Sequence, residues 1–385
     1  MKKNIFIYIF ILSVNFVFAQ GFYNKGAVVS LSTQTILTVP DSLVNNINST
    51  IINNGNLRIS GAWINNGIYD AGIGQINFNS DLTQTINHSD QSFSKLVISG
   101  VGEKTFSADI TIESELDLQG SVLKSANGAK IILNAGAVVV GGSDMSYVQG
   151  TVEIKGAGNW LFPIGNGTTY LPVEITNVTD ATAAATLTLN ELTAGQVLSG
   201  DPELTKISSK RYWELVLGSG NLSQSKIKLP LAGEEGLTDN LDLLVVAGSA
   251  DSKSGYSNLG QSNVTGSLTS GSLRSELAPA VLYYTSAAVS GEKGIEVFNG
   301  VSVGFDGLND FMKITNITFY PNNKVTIFNR WGDRVFEISG YDNDQKIFKG
   351  ESNINGNSKL PSGTFFYSVD LGDGSAKATG YVYVK

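Results

Sequence analysis

The chain has 385 residues, enough for two or three separate cores, with only 16% charged residues, 43 glycines and 8 prolines. Recurrent Thr, Ser, Asn, Val and Ile complete the composition of twisted strands joined by tight turns. A net charge of -8 with scattered basic residues offers no field for a nucleic acid or an anionic lipid surface. The absence of cysteine and the single histidine exclude thiol catalysis, disulfides and nearly every imidazole or thiolate metal site.

The N-terminus reads as a cleavable signal peptide over residues 1–19. Lys2 and Lys3 precede an apolar run from Ile5 to Leu12, and Val17-Phe18-Ala19 fits a cleavage site after Ala19. The alternative is a membrane anchor. The run is far shorter than the ~20 residues that span hydrocarbon, and Ser13 and Asn15 interrupt it. No later segment is expected to span a membrane. Asp41-Ser42-Leu43 fits a short Asp-Ser-apolar pattern for O-glycosylation, or simply a turn.

Residues 20–145 read as a β-solenoid. Apolar pairs one residue apart recur at intervals of roughly 20 residues: Leu57/Ile59, Ile76/Phe78, Leu96/Ile98, Leu116/Leu118 and Val138/Val140. Asn53-Asn54-Gly55 and Asn65-Asn66-Gly67 are the expected corners, since Asn and Gly tolerate positive φ. A hairpin-built sandwich is the alternative. His88 falls in the polar stretch Asn87-His88-Ser89-Asp90 and reads as a surface turn rather than a catalytic base. Glu113, Glu115 and Asp117 alternate on a strand and read as a solvated face. The alternatives are a calcium and polysaccharide grip, as in solenoidal lyases, or the paired carboxylates of a glycoside hydrolase.

Residues 146–295 lose that period. Trp160-Leu161-Phe162-Pro163-Ile164-Gly165 and strand-like runs at Ala184–Leu189, Arg211–Leu217, Leu241–Ala247 and Val281–Tyr284 predict a β-sandwich. Trp63, Trp160 and Trp213 are expected in cores, the alternative being an exposed platform that stacks sugar rings.

Residues 296–385 predict a small immunoglobulin-like β-sandwich. Lys313–Phe319 looks strand-like, and Lys324–Phe328 and Arg334–Glu337 form a hairpin about Asn329-Arg330-Trp331-Gly332. Leu360-Pro361-Ser362-Gly363-Thr364 leads into Phe365–Val369, and a last strand runs from Gly380. Asp306, Asn309 and Asp310 can offer oxygens to Ca²⁺, although an Asx-capped turn without metal explains them too; no other cofactor is expected.

This last quarter of the chain resembles the gliding motility-associated C-terminal domain, the type B sorting domain of type IX secretion substrates. The resemblance rests on Asp306-Gly307-Leu308-Asn309-Asp310, Tyr320-Pro321-Asn322-Asn323, Phe328-Asn329-Arg330-Trp331-Gly332, Leu360-Pro361-Ser362-Gly363-Thr364 and Gly380 to Lys385. Val303-Gly304-Phe305 and Phe348 depart from the usual Pro-Asn-Gly and Trp. The resemblance implies a sorting signal rather than a catalyst, with the type IX translocon as partner and the outer-membrane surface or the medium as destination. Arg330, Trp331 and the last strand are candidate grips, unless Trp331 fills the core with Arg330 covering it. The whole reads as a non-enzymatic structural or adhesive surface protein that meets a glycan or another envelope component. The alternative is a secreted polysaccharide-binding protein, lyase or hydrolase on a solenoid scaffold.

Overall fold

The computed structural model describes residues 21–385 apart from 89–90, 194–195, 235, 239, 252–253, 291–293, 303–308, 355 and 357. Strands take 51% of the described residues and helix 2%, so the class is all-β. Two compact units meet in sequence at Val289 and Ser290.

The first unit opens as a parallel β-solenoid. Its first three coils each lay down three short strands: Phe22–Asn24, Val28–Leu31 and Ile36–Val39; Leu43–Asn45, Thr50–Asn53 and Asn56–Ile59; Trp63–Asn65, Ile68–Asp70 and Gln75–Phe78. Strands at equivalent places pair in parallel from coil to coil, Leu43 with Trp63, Ile51 with Tyr69 and Leu57 with Ile76. In the next two coils a single long strand, Ser92–Ile98 and then Ile110–Leu118, replaces two short ones. Where the third face stops, the Gln91 side chain accepts from the Tyr69 amide and donates to the Gly67 carbonyl, filling in for the missing strand.

The 20-residue apolar period has a simple cause. Leu57/Ile59, Ile76/Phe78, Leu96/Ile98 and Leu116/Leu118 stand in register on successive coils and are at most 2% exposed. The fifth expected pair is a correction. Val139, not Val138 or Val140, aligns with Leu116, and Val138 and Val140 face outward at 51% and 46% exposure. A one-residue slip in a strand exchanges its two faces.

The Asn-Gly corners also act differently from expectation, because none of Asn53, Asn54, Gly55, Asn65, Asn66 or Gly67 has a positive φ. A Cβ on Gly55 would lie 2.5 Å from the Thr35 carbonyl oxygen, and one on Gly67 equally close to the Asn46 and Ser49 oxygens. These glycines let one coil sit on the next. The asparagines build a buried ladder: Asn24 Nδ2 donates to Asn45 Oδ1 at 3.0 Å, and Asn45 Nδ2 to Asn65 Oδ1 at 2.7 Å. Each occupies the same register on successive coils.

His88 holds the fourth position of that ladder, opposite Asn65, and is 1% exposed. The surface-turn expectation is therefore wrong; the polar neighbours reflect an end of strand, while the ring packs inward on Phe93 at 4.0 Å. Its Nδ1 accepts from the Trp63 indole N–H at 3.2 Å. Desolvation lowers its pKa from 6.5 to about 4. Above about pH 6.5 the ring is neutral folded or unfolded. As pH falls from there toward 4, only the unfolded chain takes up the proton, so stability drops by about 3 kcal/mol. Urea unfolding across this window should show the loss, and His88→Asn, in the only histidine of the chain, should remove it.

The solenoid passes into the next region without a break in hydrogen bonding. Lys130–Leu133 pairs in parallel with Thr151–Lys155, which pairs antiparallel with Ala184–Glu191 and so leads on to Arg211–Ser219, Tyr283–Val289 and Leu244–Ser249. The result is one 14-stranded sheet. A five-stranded antiparallel sheet built on Gly158–Phe162, Val173–Val178 and Lys226–Leu231 shares its core, where Trp160, Ile175, Trp213 and Ile227 join the solenoid side chains. A solenoid's last coil needs a cover for its apolar interior, and these strands provide it. Two expected runs begin later than predicted: Leu241–Leu243 is a 3-10 turn before the strand from Leu244, and the last of the runs begins at Tyr283 and continues to Val289.

The second unit is a five-stranded sheet in the order Gly300–Val301, Ala378–Val384, Gly363–Asp370, Lys324–Phe328, Arg334–Ser339, with a ribbon of Glu351–Ser352 and Ser358–Lys359. Lys313–Phe319 is not a strand. Asn316 takes a left-handed φ of 59° and starts the 3-10 turn Ile317–Phe319, leaving Ile314 bridged to Val297. The inner sheet residues Val325, Ile327, Val369 and Val382 pack with Met312, Ile314, Tyr341 and Phe348 in a core of their own. Phe348 is fully buried with its ring 5.0 Å from Phe336, so the departure from Trp keeps an aromatic in the core.

Candidate recognition site

Most motif residues of the second unit serve its fold. Tyr320 and Asn323 are 5% and 1% exposed, and the Asn323 side chain ties the Tyr320 carbonyl to both the amide and the carbonyl of Tyr341. Pro321 is exposed at the turn. Leu360 packs on the core, Pro361 and Thr364 are exposed, and Gly363 opens a strand. A Cβ at Gly380 would lie 2.4 Å from the Tyr367 hydroxyl, so packing requires glycine there. The amide of exposed Lys385 closes the chain by donating to the Val301 carbonyl at 2.9 Å. Asn309 takes a left-handed φ of 56° and its carbonyl accepts from Ser302, a turn role. Asp310 is partly buried beside it. Asp306 and Gly307, and with them most of the calcium proposal and the Val303-Gly304-Phe305 departure, lie outside the described residues.

The turn Asn329–Gly332 is different. Asn329 Oδ1 accepts from the amides of Trp331 and Asp333, both at 2.9 Å, while its Nδ2 donates to the Asp333 carboxylate at 3.1 Å. Gly332 completes the turn at φ +87°, a region that favours glycine. On this locked frame Trp331 is 74% exposed, and the Arg330 guanidinium sits 4.6 Å from the centre of its ring. The core-filling alternative for Trp331 therefore falls. Trp331→Ala should change the stability of the chain by less than about 1 kcal/mol in chemical denaturation, since the indole lies outside the core and its ring meets the Arg330 guanidinium at the surface.

Residues 295–384 match the family model of the CHU_C type IX secretion signal domain. The signal domain directs export through the type IX secretion system to the cell surface or the medium, and this implies contact with the secretion machinery. No curated protein and no solved structure matches the chain. Among the described residues no helix is long and apolar enough to cross a membrane.

The other candidates are engaged in structure. Trp63, Trp160 and Trp213 are at most 3% exposed, which removes the sugar-stacking platform expected of them as an alternative. Glu115 pairs with Lys95 at 3.5 Å, Glu113 accepts from Asn134 at 2.7 Å and Asp117 from Gln119 at 2.7 Å. Ser42 Oγ accepts from the Ala62 amide of the next coil at 3.2 Å, so the Asp41-Ser42-Leu43 corner takes part in stacking. Sequence reasoning missed Lys104, fully buried with its ammonium on the Ser80 and Gly102 carbonyls and its pKa lowered by desolvation to about 8. It also missed Arg211, which bridges Glu191 at 3.4 Å and the buried Glu234 at 3.2 Å.

Proposed function

We propose that the chain is a non-catalytic surface protein, made with a cleavable signal peptide over residues 1–19, whose solenoid and sandwich are displayed outside the cell as an adhesive or structural element once the signal domain has delivered them. The observation that carries this reading is the unbroken 14-stranded sheet, on which Glu113, Glu115 and Asp117 each have a partner of their own in Asn134, Lys95 and Gln119. A lyase or hydrolase needs acids and a cation converging on one substrate. Here Lys95 and Glu115 neutralise each other. Exposed Arg58 stands three coils from Asp117 in the column Arg58, Asn77, Val97, Asp117, a separation of about 14 Å at the usual strand spacing.

Two assays test the proposal. Cells lacking the chain should adhere less to glycan-coated or abiotic surfaces, with adhesion restored by the intact gene. The purified chain should release neither reducing ends nor unsaturated uronates from pectate, alginate or xylan. Turnover of any of these would replace the adhesive reading with the enzymatic one, and unchanged adhesion would remove it.

A further inference from the structure

The outer face of the signal sheet departs from ordinary alternation. Its inward residues are apolar and buried, and the outward ones of an exposed sheet are normally polar. At one end they are aromatic instead. Phe328 is paired with Phe366, and Phe366 with Tyr381, so three rings line up across three neighbouring strands. Tyr383 follows two residues along the last strand, opposite Thr364. Phe366, Tyr381 and Tyr383 are 48%, 54% and 48% exposed. Trp331 leaves the same end of the sheet, in the turn directly after Phe328. The rest of this face is polar in the usual way, with Lys324 and Arg334 on Glu337 at 3.0 and 2.7 Å and Lys377 on Asp370 at 3.1 Å.

A contiguous set of exposed rings is unfavourable in water and marks a docking surface. Trp, Tyr and Arg are also the side chains that carry most of the energy at protein interfaces. Resting on the signal reading of residues 295–384, the geometry points to the strip Trp331, Phe328, Phe366, Tyr381 and Tyr383 as the surface that the secretion machinery grips. Arg330 stands at its edge, while Arg334 opposite Phe328 is already held by Glu337, so the complementary partner is a protein presenting a flat apolar patch with a carboxylate placed for Arg330. The strip draws on residues from 328 to 383 and exists only when the strands are paired. The machinery therefore reads a folded sheet, and a linear C-terminal peptide does not carry the signal.

The test uses the full-length chain in cells with an intact type IX system, scored by surface protease shaving and by fractionation of periplasm and medium. Phe366→Ser/Tyr381→Ser and, separately, Trp331→Ala/Tyr383→Ser should keep native resistance to proteolysis. Each should lower delivery beyond the outer membrane at least about tenfold, as loss of two interface aromatics does. Either pair folded and delivered at the wild-type level overturns the inference. Delivery at the wild-type rate followed by loss from the cell surface into the medium also overturns it, since the strip would then be an anchor to surface glycan. A chain lacking residues 295–385 is run beside them. If it too reaches the surface, the signal reading itself fails, which is a different result from a failure of the strip alone.

Discussion

Removal of residues 295–385 is expected to abolish surface delivery and leave the remainder folded in the periplasm. The two units have separate cores: no residue of the cluster around Val325, Ile327 and Phe348 belongs to the cluster that fills the solenoid and sandwich. The cut falls after the sequence boundary at Val289 and Ser290, so the larger unit loses none of its strands. Protease shaving of intact cells measures the outcome, and far-UV circular dichroism of the recovered truncated chain confirms that it has kept its strands. Unchanged delivery would show that the signal lies elsewhere. Loss of delivery together with loss of fold would point to a structural debt between the units.

Asn45→Ala is expected to destabilise the solenoid about as much as truncating one of its buried aliphatic residues. Asn45 is fully buried in the middle of the ladder, where its amide donates to Asn65 Oδ1 at 2.7 Å and to the Ile68 carbonyl at 3.0 Å. Truncation leaves the buried Asn65 Oδ1 and the Asn24 amide without this partner, each at a cost of about 1–3 kcal/mol, and opens a small void beside them. A loss of about 3 kcal/mol in urea denaturation is expected. Asn66→Ala, at an exposed position one residue beyond the ladder, should stay within about 0.5 kcal/mol. Equal effects at the two sites would mean that the ladder does not stabilise the coil stack.

The coil period was legible because parallel stacking places the same apolar pair in register on every turn, and Leu57, Ile76, Leu96 and Leu116 repeat in sequence what they do in space. The ladder was written at nearly the same interval, with Asn24, Asn45, Asn65 and His88 separated by 21, 20 and 23 residues. It was hidden because asparagine signals turns more often than buried amide stacks. Val138 and Val140 misled because a strand's pattern gives its faces but not which of them is inside. The fusion of solenoid and sandwich rests on pairings between distant strands, such as Val152 with Leu187, which local pattern does not reveal. At the candidate site the Asn329–Gly332 motif was readable, but the exposure of Trp331 was not, since indoles usually belong to cores. The aromatic strip needs the register of three strands and so has no linear signature.

The continuous sheet has a mechanical meaning for a chain that works outside the cell. Its coils stack along the direction of their hydrogen bonds, so every tier between the first coil and the sandwich is crossed by a ladder of them. Within the stack the Asn24, Asn45 and Asn65 amides add side-chain links parallel to the backbone ones. Each coil is thus joined to the next through backbone and side-chain bonds running in one direction, the direction in which the chain extends from its first coil toward the sandwich.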